Sequence, residues 1–263
     1  MSRYATMFAN LSERGEGAFG AFVMVGDPNL KASAEVLDAI VEGGANMVEV
    51  GIPFSDPVAD GPVIQAAGDR ALRAGVTPSD CFELLRSFRD RHPAIPLGIL
   101  TYANLVVARG VARFCGDAAA AGVDSLLIAD VPSLEAEPFA ASARAADLDL
   151  IMIAAPNTPT SVLARIAVLA SGYTYCVARS GVTGAGEQLS LDHQDLFSQL
   201  ASLGAPPPVL GFGISTPDHV REALHAGAAG VITGSALVRL LDDAGSPDAV
   251  RNLVRDMKHA TQP

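Results

Sequence analysis

Glu49 is the residue whose setting speaks most directly of chemistry, because it is an acid inside the apolar run Met47-Val48-Glu49-Val50. A strand of that kind is buried on both faces in a parallel sheet. An unpaired carboxylate there is costly and tends to keep its proton, and a carboxyl poised near neutral pH can act as both acid and base. The alternative is an ion pair with a cation inside the fold. Two further acids, Asp56 and Asp60, follow in residues 51–62 (GIPFSDPVADGP) among three prolines. Asp-Pro and Asp-Gly pairs also favour ordinary turns, but a stiff loop directly behind a buried acid fits an active-site loop.

A second set of motifs suits an anion. Gly211-Phe212-Gly213-Ile214-Ser215 and Gly234-Ser235-Ala236 each follow a short apolar run, and the second opens a helix. Glycines let backbone N–H groups approach phosphate oxygens, and a helix N-terminus adds positive potential. Any single glycine is as well explained by packing. The Gly-rich stretch Ala178-Arg179-Ser180-Gly181-Val182-Thr183-Gly184-Ala185-Gly186 is suited to a lid.

These residues need a scaffold, and the apolar pattern supplies one. Eight short β-branched runs centre on Val23, Val48, Ile99, Leu127, Ile151, Tyr175, Leu210 and Ile232, each followed by a segment of helical period. Alternation of that kind predicts βα units around a parallel sheet. The expected fold is α/β, a single (β/α)8 TIM barrel over residues 1–263, with an extra N-terminal helix and extra helices after strands 2 and 8. Ser2–Glu13 reads as the N-terminal helix, placed to cover the barrel bottom, and Gln65–Arg73 and Ser79–Arg91 as the pair after strand 2. Asp27-Pro28 reads as a helix N-cap with proline in the first turn, and Gly43-Gly44 as that helix's end. A glycine, a short strand and a small residue recur at 44–51, 122–129 and 227–234. A doubly wound open sheet is the rival, but no Gly-rich dinucleotide turn follows Val23. In a barrel the site forms at the C-terminal strand ends, where the motifs above fall.

Composition narrows the partners. Lys and Arg number 18 against 29 Asp and Glu, a net charge of −11, which argues against a nucleic-acid surface. A small anion must then be held by directed N–H groups, since the overall field repels it. The longest uncharged stretch, Leu196 to Pro217, holds three consecutive prolines and makes no membrane helix. Near the N-terminus, Arg3, Glu13, Arg14 and Glu16 leave no apolar core for a secretory signal. Cys81, Cys115 and Cys176 have no metal-like spacing and read as buried small apolar residues. The expected location is the cytoplasm.

The stretches EVGIPFSDPVADGP (49–62), YTYCVARSGVTG (173–184), GFGIS (211–215) and GSA (234–236), in this order and spacing, resemble the α-subunit family of tryptophan synthase over nearly the whole chain. The resemblance implies a lyase that cleaves indole-3-glycerol phosphate to indole and glyceraldehyde 3-phosphate by a retro-aldol reaction. Glu49 matches the acid/base, Asp60 the carboxylate that meets the indole N–H, and Tyr175 a tyrosine that assists positioning. Phosphate contacts match Gly184, Gly213, Gly234 and Ser235. Phe22, Leu100, Leu127, Phe212 and Ile232 match the apolar wall around the indole, and Thr183 the lid residue that closes towards Asp60. No cofactor is implied in this chain, and pyridoxal phosphate is expected only in a partner β subunit, within an α2β2 complex. That partner receives the indole, and the loop 53–62 and the lid near Thr183 are where the family communicates with it. The first strand lacks the proline and threonine expected near Ala21 and Met24. A stand-alone indole-releasing lyase, a silent activator of a β subunit and another phosphate-binding barrel are the competing readings.

Overall fold

The structure is a computed structural model that describes residues 2–177, 193–242 and 246–263. Eight parallel strands close into a barrel in sequence order: β1 (Ala18–Met24), β2 (Met47–Gly51), β3 (Leu97–Thr101), β4 (Ser125–Ile128), β5 (Asp149–Ala154), β6 (Thr174–Val177), β7 (Pro208–Gly211) and β8 (Gly230–Thr233). β8 pairs back onto β1, with Phe19 beside Val231 and Gly20 beside Ile232. Every one of the eight apolar runs is a strand, and β1, β2, β4, β6 and β8 are buried at every position, as strands covered on both faces must be.

Twelve helices surround the strands among the described residues: α1 (Arg3–Glu13), α2 (Leu30–Glu42), α3 (Pro62–Arg73), α4 (Pro78–Arg91), α5 (Ala103–Arg109), α6 (Val111–Ala120), α7 (Glu137–Ala145), α8 (Thr160–Leu169), α9 (Gln194–Ser202), α10 (Pro217–His225), α11 (Ser235–Asp242) and α12 (Pro247–His259). The N-terminal helix and the pairs after β2 and β8 are as expected. A third pair follows β3, because Gly110 at φ +86° ends α5 and begins α6. Only glycine takes that backbone readily.

One helix start differs from expectation. Asn29, not Asp27, caps α2: its side chain accepts from the Ala32 N–H at 3.0 Å. Asp27 has a stronger partner, since Arg70 grips both its carboxylate oxygens at 2.7 and 2.9 Å. Two parallel charge-assisted bonds outweigh one cap bond.

The bottom of the barrel is closed by α1. Ser2 caps it, and Tyr4 enters the barrel floor, where its hydroxyl lies 2.9 Å from Ser125 Oγ. The Tyr4 and Tyr173 rings meet at 5.4 Å. Gly98 makes room for this plug, because a Cβ there would stand 2.6 Å from Ser125 Oγ and 3.1 Å from the Tyr4 hydroxyl. The three cysteines are buried and free, and no described helix is long and apolar enough to cross a membrane.

Candidate active site

The C-terminal ends of the strands enclose a cleft of about 540 Å3, lined by residues from seven separate stretches of chain that include Glu49, Asp60, Tyr175, Phe212, Gly234 and Ser235. Its position follows from the barrel, in which strand ends and βα loops converge on one face. No group of His, Cys, Asp and Glu among the described residues could hold a metal ion.

Glu49 is central in β2, registered between Phe22 of β1 and Gly98 of β3. It is 3% exposed, and the Tyr173 hydroxyl donates to its Oε1 at 2.8 Å. Its Oε2 is buried with no hydrogen-bond partner, and no described cation pairs with it, so the ion-pair alternative fails. Burial raises the carboxyl to about 7, and the bond from Tyr173 offsets part of that. Tyr173 stays protonated, because burial and the neighbouring carboxylate both oppose its ionisation.

Asp60 ends the loop behind β2 and is 8% exposed. The turn is fixed from both sides: its N–H donates to Pro57 O at 3.1 Å, and Gln65 donates to its carbonyl at 2.7 Å. Burial lifts its carboxyl to about 6, while a hydrogen bond from the Tyr102 hydroxyl lowers it. The same hydroxyl accepts from the Ala59 N–H at 3.2 Å, and the Tyr102 ring stacks on Phe54 at 5.5 Å. Asp56 is exposed and takes a bond from the Ser55 hydroxyl. The two carboxyls therefore part in character, with Asp60 ionised and Glu49 half-protonated near neutrality.

Tyr175 lines the cleft beside both acids, edge-on to Phe212 at 5.6 Å. Its hydroxyl lies where a Cβ on Gly211 would be, 2.0 Å away, so only glycine fits there. Phe22, Leu100 and Ile232 form the apolar wall with Phe212, joined by Ile64 and Ile214, which the sequence pattern does not single out. Leu127 is 1% exposed and sits in register between Leu100, which lines the cleft, and Ile151.

The far end of the cleft carries the anion motifs. Phe212 and Gly213 both take positive φ, +59° and +81°, which folds the turn after β7 over the cavity. Gly234 and Ser235 open α11, in which Leu237 and Val238 already donate to the Gly234 carbonyl at 2.9 and 3.1 Å and the N–H groups ahead of Leu237 have no acceptor within the helix. Ser215 and Ala236 complete this wall. Thr183, Gly184 and the whole lid stretch lie outside the described residues.

Tyr173 and Tyr102 are the contacts of the two acids that the sequence pattern does not single out. Tyr173 stands two residues before Tyr175, and strand periodicity places both on the inner face. Tyr102 directly follows β3, at the end where sites form.

Comparison with known proteins accords with this geometry. The family model described as "Tryptophan synthase alpha chain" matches residues 8–262. A tryptophan synthase alpha chain of Shewanella amazonensis is 50% identical over 242 residues, covering 92% of this chain and 91% of the relative. One from Escherichia coli is 47% identical over 267 residues and covers all of both chains. Among solved structures, a Mycobacterium tuberculosis tryptophan synthase superposes with a TM-score of 0.91 at 30% identity, covering 100% of this chain and 99% of that one.

Proposed function

The chain belongs to the tryptophan synthase alpha chain family, lyases that cleave indole-3-glycerol phosphate, and on that footing we propose the roles of its residues. Glu49, with a carboxyl near 7, donates its proton to C3 of the indole ring. Asp60, ionised above about 6, accepts from the indole N–H and stabilises the positive charge this creates. The Glu49 carboxylate then takes the proton of the side-chain hydroxyl. The carbon–carbon bond breaks, its electron pair returns to the ring as indole, and glyceraldehyde 3-phosphate leaves. Glu49 ends the cycle protonated, as it began.

A charge that develops in a dry cleft is stabilised far more by a fixed carboxylate than it would be in water. Tyr175 and the Phe22, Leu100, Phe212 and Ile232 wall orient the indole. Gly213, Gly234 and Ser235 receive the phosphate, with Gly184 joining them by family likeness and Thr183, on the same likeness, closing towards Asp60. Since the cycle moves only protons, it calls for no metal or organic cofactor in this chain. Pyridoxal phosphate belongs to the β partner.

The chain works with that β subunit, for which we propose an α2β2 assembly in the cytoplasm. Supporting this, three exposed apolar side chains stand on the connections after β2, β3 and β4: Val58 at 71%, Val107 at 56% and Leu134 at 69%. Exposed apolar side chains on the connections that follow successive strands suit a partner surface on that side of the barrel. The same reading takes residues 1–263 as one domain, because strands from both ends of the chain close one barrel.

The observation that carries the reading is the pair of buried carboxyls, with no cation paired to them among the described residues, facing one cleft whose other end is built of glycine turns. Its test is product analysis: equal amounts of indole and glyceraldehyde 3-phosphate from indole-3-glycerol phosphate, with Asp60→Asn about a hundredfold or more slower. Full activity in Asp60→Asn overturns its role.

A further inference from the structure

Ser215 closes the turn after β7 and lines the cleft. Its backbone N–H donates to Nδ1 of His219 at 3.3 Å, and its hydroxyl lies 3.4 Å from the same nitrogen. An Nδ1 that accepts a bond has its ring proton on Nε2 and offers a single lone pair. One lone pair cannot fully hold two donors, and both contacts are long for hydrogen bonds. One Ser215 donor is therefore spare, on the wall that also carries Gly213, Gly234 and Ser235.

His219 is held where this matters. Its own N–H donates to the Thr216 hydroxyl, the cap of α10, at 3.2 Å, so the imidazole stands in the first turn directly behind Ser215. Arg221, two residues after His219, is paired with Asp218. A phosphate monoester is mostly the dianion at neutral pH and then only accepts hydrogen bonds, so its oxygens would be repelled by the bare lone pair of His219 but drawn to a Ser215 donor standing in front of it.

We infer that Ser215 is a further donor to the substrate phosphate, and that His219 is the positioning residue that presents it. This rests on the phosphate cradle described above. With phosphate bound, the Ser215 N–H stays on His219 and the hydroxyl turns to the anion.

The test compares steady-state kinetics, with β subunit present, on indole-3-glycerol phosphate and on its dephosphorylated counterpart. Ser215→Ala and His219→Phe are expected to raise KM for the phosphate substrate about tenfold to a hundredfold, the effect of one hydrogen bond to a charged group, with kcat within about twofold. His219→Asn, whose amide oxygen can stand in for Nδ1, is expected to recover most of the loss. None of the three should alter kcat/KM on the dephosphorylated substrate. An unchanged KM in Ser215→Ala, or an equal loss on both substrates, overturns the inference. Ser235→Asp separates the two levels, because it sets a negative charge in the cradle itself. A raised KM there with none in Ser215→Ala refutes the inference alone, and no change in either refutes the cradle as well.

Discussion

Replacing Glu49 by glutamine is expected to stabilise the folded chain increasingly as pH rises, while it abolishes activity. In the barrel the carboxyl titrates near 7, and on unfolding it returns to about 4.5. Between those values the unfolded chain has lost the proton and the folded chain has kept it. The unfolded state then binds fewer protons, so stability falls as pH rises across this window. Below about 4.5 both states hold the proton and nothing is lost; above about 7 both have released it and the loss is complete. At about 1.4 kcal/mol per pH unit, the full loss over the shift from 4.5 to about 7 is about 3.5 kcal/mol, of which about 3 kcal/mol falls between about pH 4.5, where half the unfolded chains are already deprotonated, and about pH 8.5. Glutamine does not titrate. Its carbonyl oxygen can take the Tyr173 bond, but its amide N–H2 replaces the unpartnered Oε2, which costs about 1–3 kcal/mol at every pH. That constant drops out when two pH values are compared. Urea unfolding of both chains at about pH 4.5 and about pH 8.5, summed over any intermediate, should show the stability difference between variant and parent move by about 3 kcal/mol in the variant's favour. Curves that stay parallel within about 0.5 kcal/mol would refute the buried, proton-holding Glu49.

The pH profile of kcat/KM should be a bell, rising as Asp60 ionises near 6 and falling as Glu49 loses its proton near 7. Tyr173→Phe removes the bond that lowers Glu49, so the falling limb should move to higher pH; an unmoved limb assigns it to another group. Gly211→Ala forces a Cβ into the Tyr175 hydroxyl and should cost about 1–3 kcal/mol and most of the activity, with stability regained when Tyr175→Leu is added. A thermal melt of the single variant matching the parent would show that Tyr175 is not confined. Leu134→Asp should raise the β-subunit concentration needed for half-maximal activation about tenfold, and an unshifted titration would place the interface elsewhere.

The scaffold was legible because it depends on local pattern. β-branched runs at regular intervals define strands wherever they fall in the barrel, and an acid inside such a run is conspicuous from the order of residues alone. What escaped reading depends on residues far apart in sequence. The hydroxyl that holds Glu49 comes from Tyr173, 124 residues away, and Tyr102 reaches Asp60 from a different loop. Asp27 looked like a cap because its neighbours favour one, but Arg70, 43 residues on, claims its carboxylate. The split after β3 hangs on the backbone of Gly110, which a helical apolar pattern on either side conceals.

The most direct test of the account is the rate of indole release from indole-3-glycerol phosphate by the purified chain, alone and with β subunit, beside Glu49→Gln. Slow release that rises with β subunit and disappears in the variant is the predicted result, while fast release without β would mark a stand-alone lyase. Indole release by Glu49→Gln at the parent's rate would contradict the account at its centre.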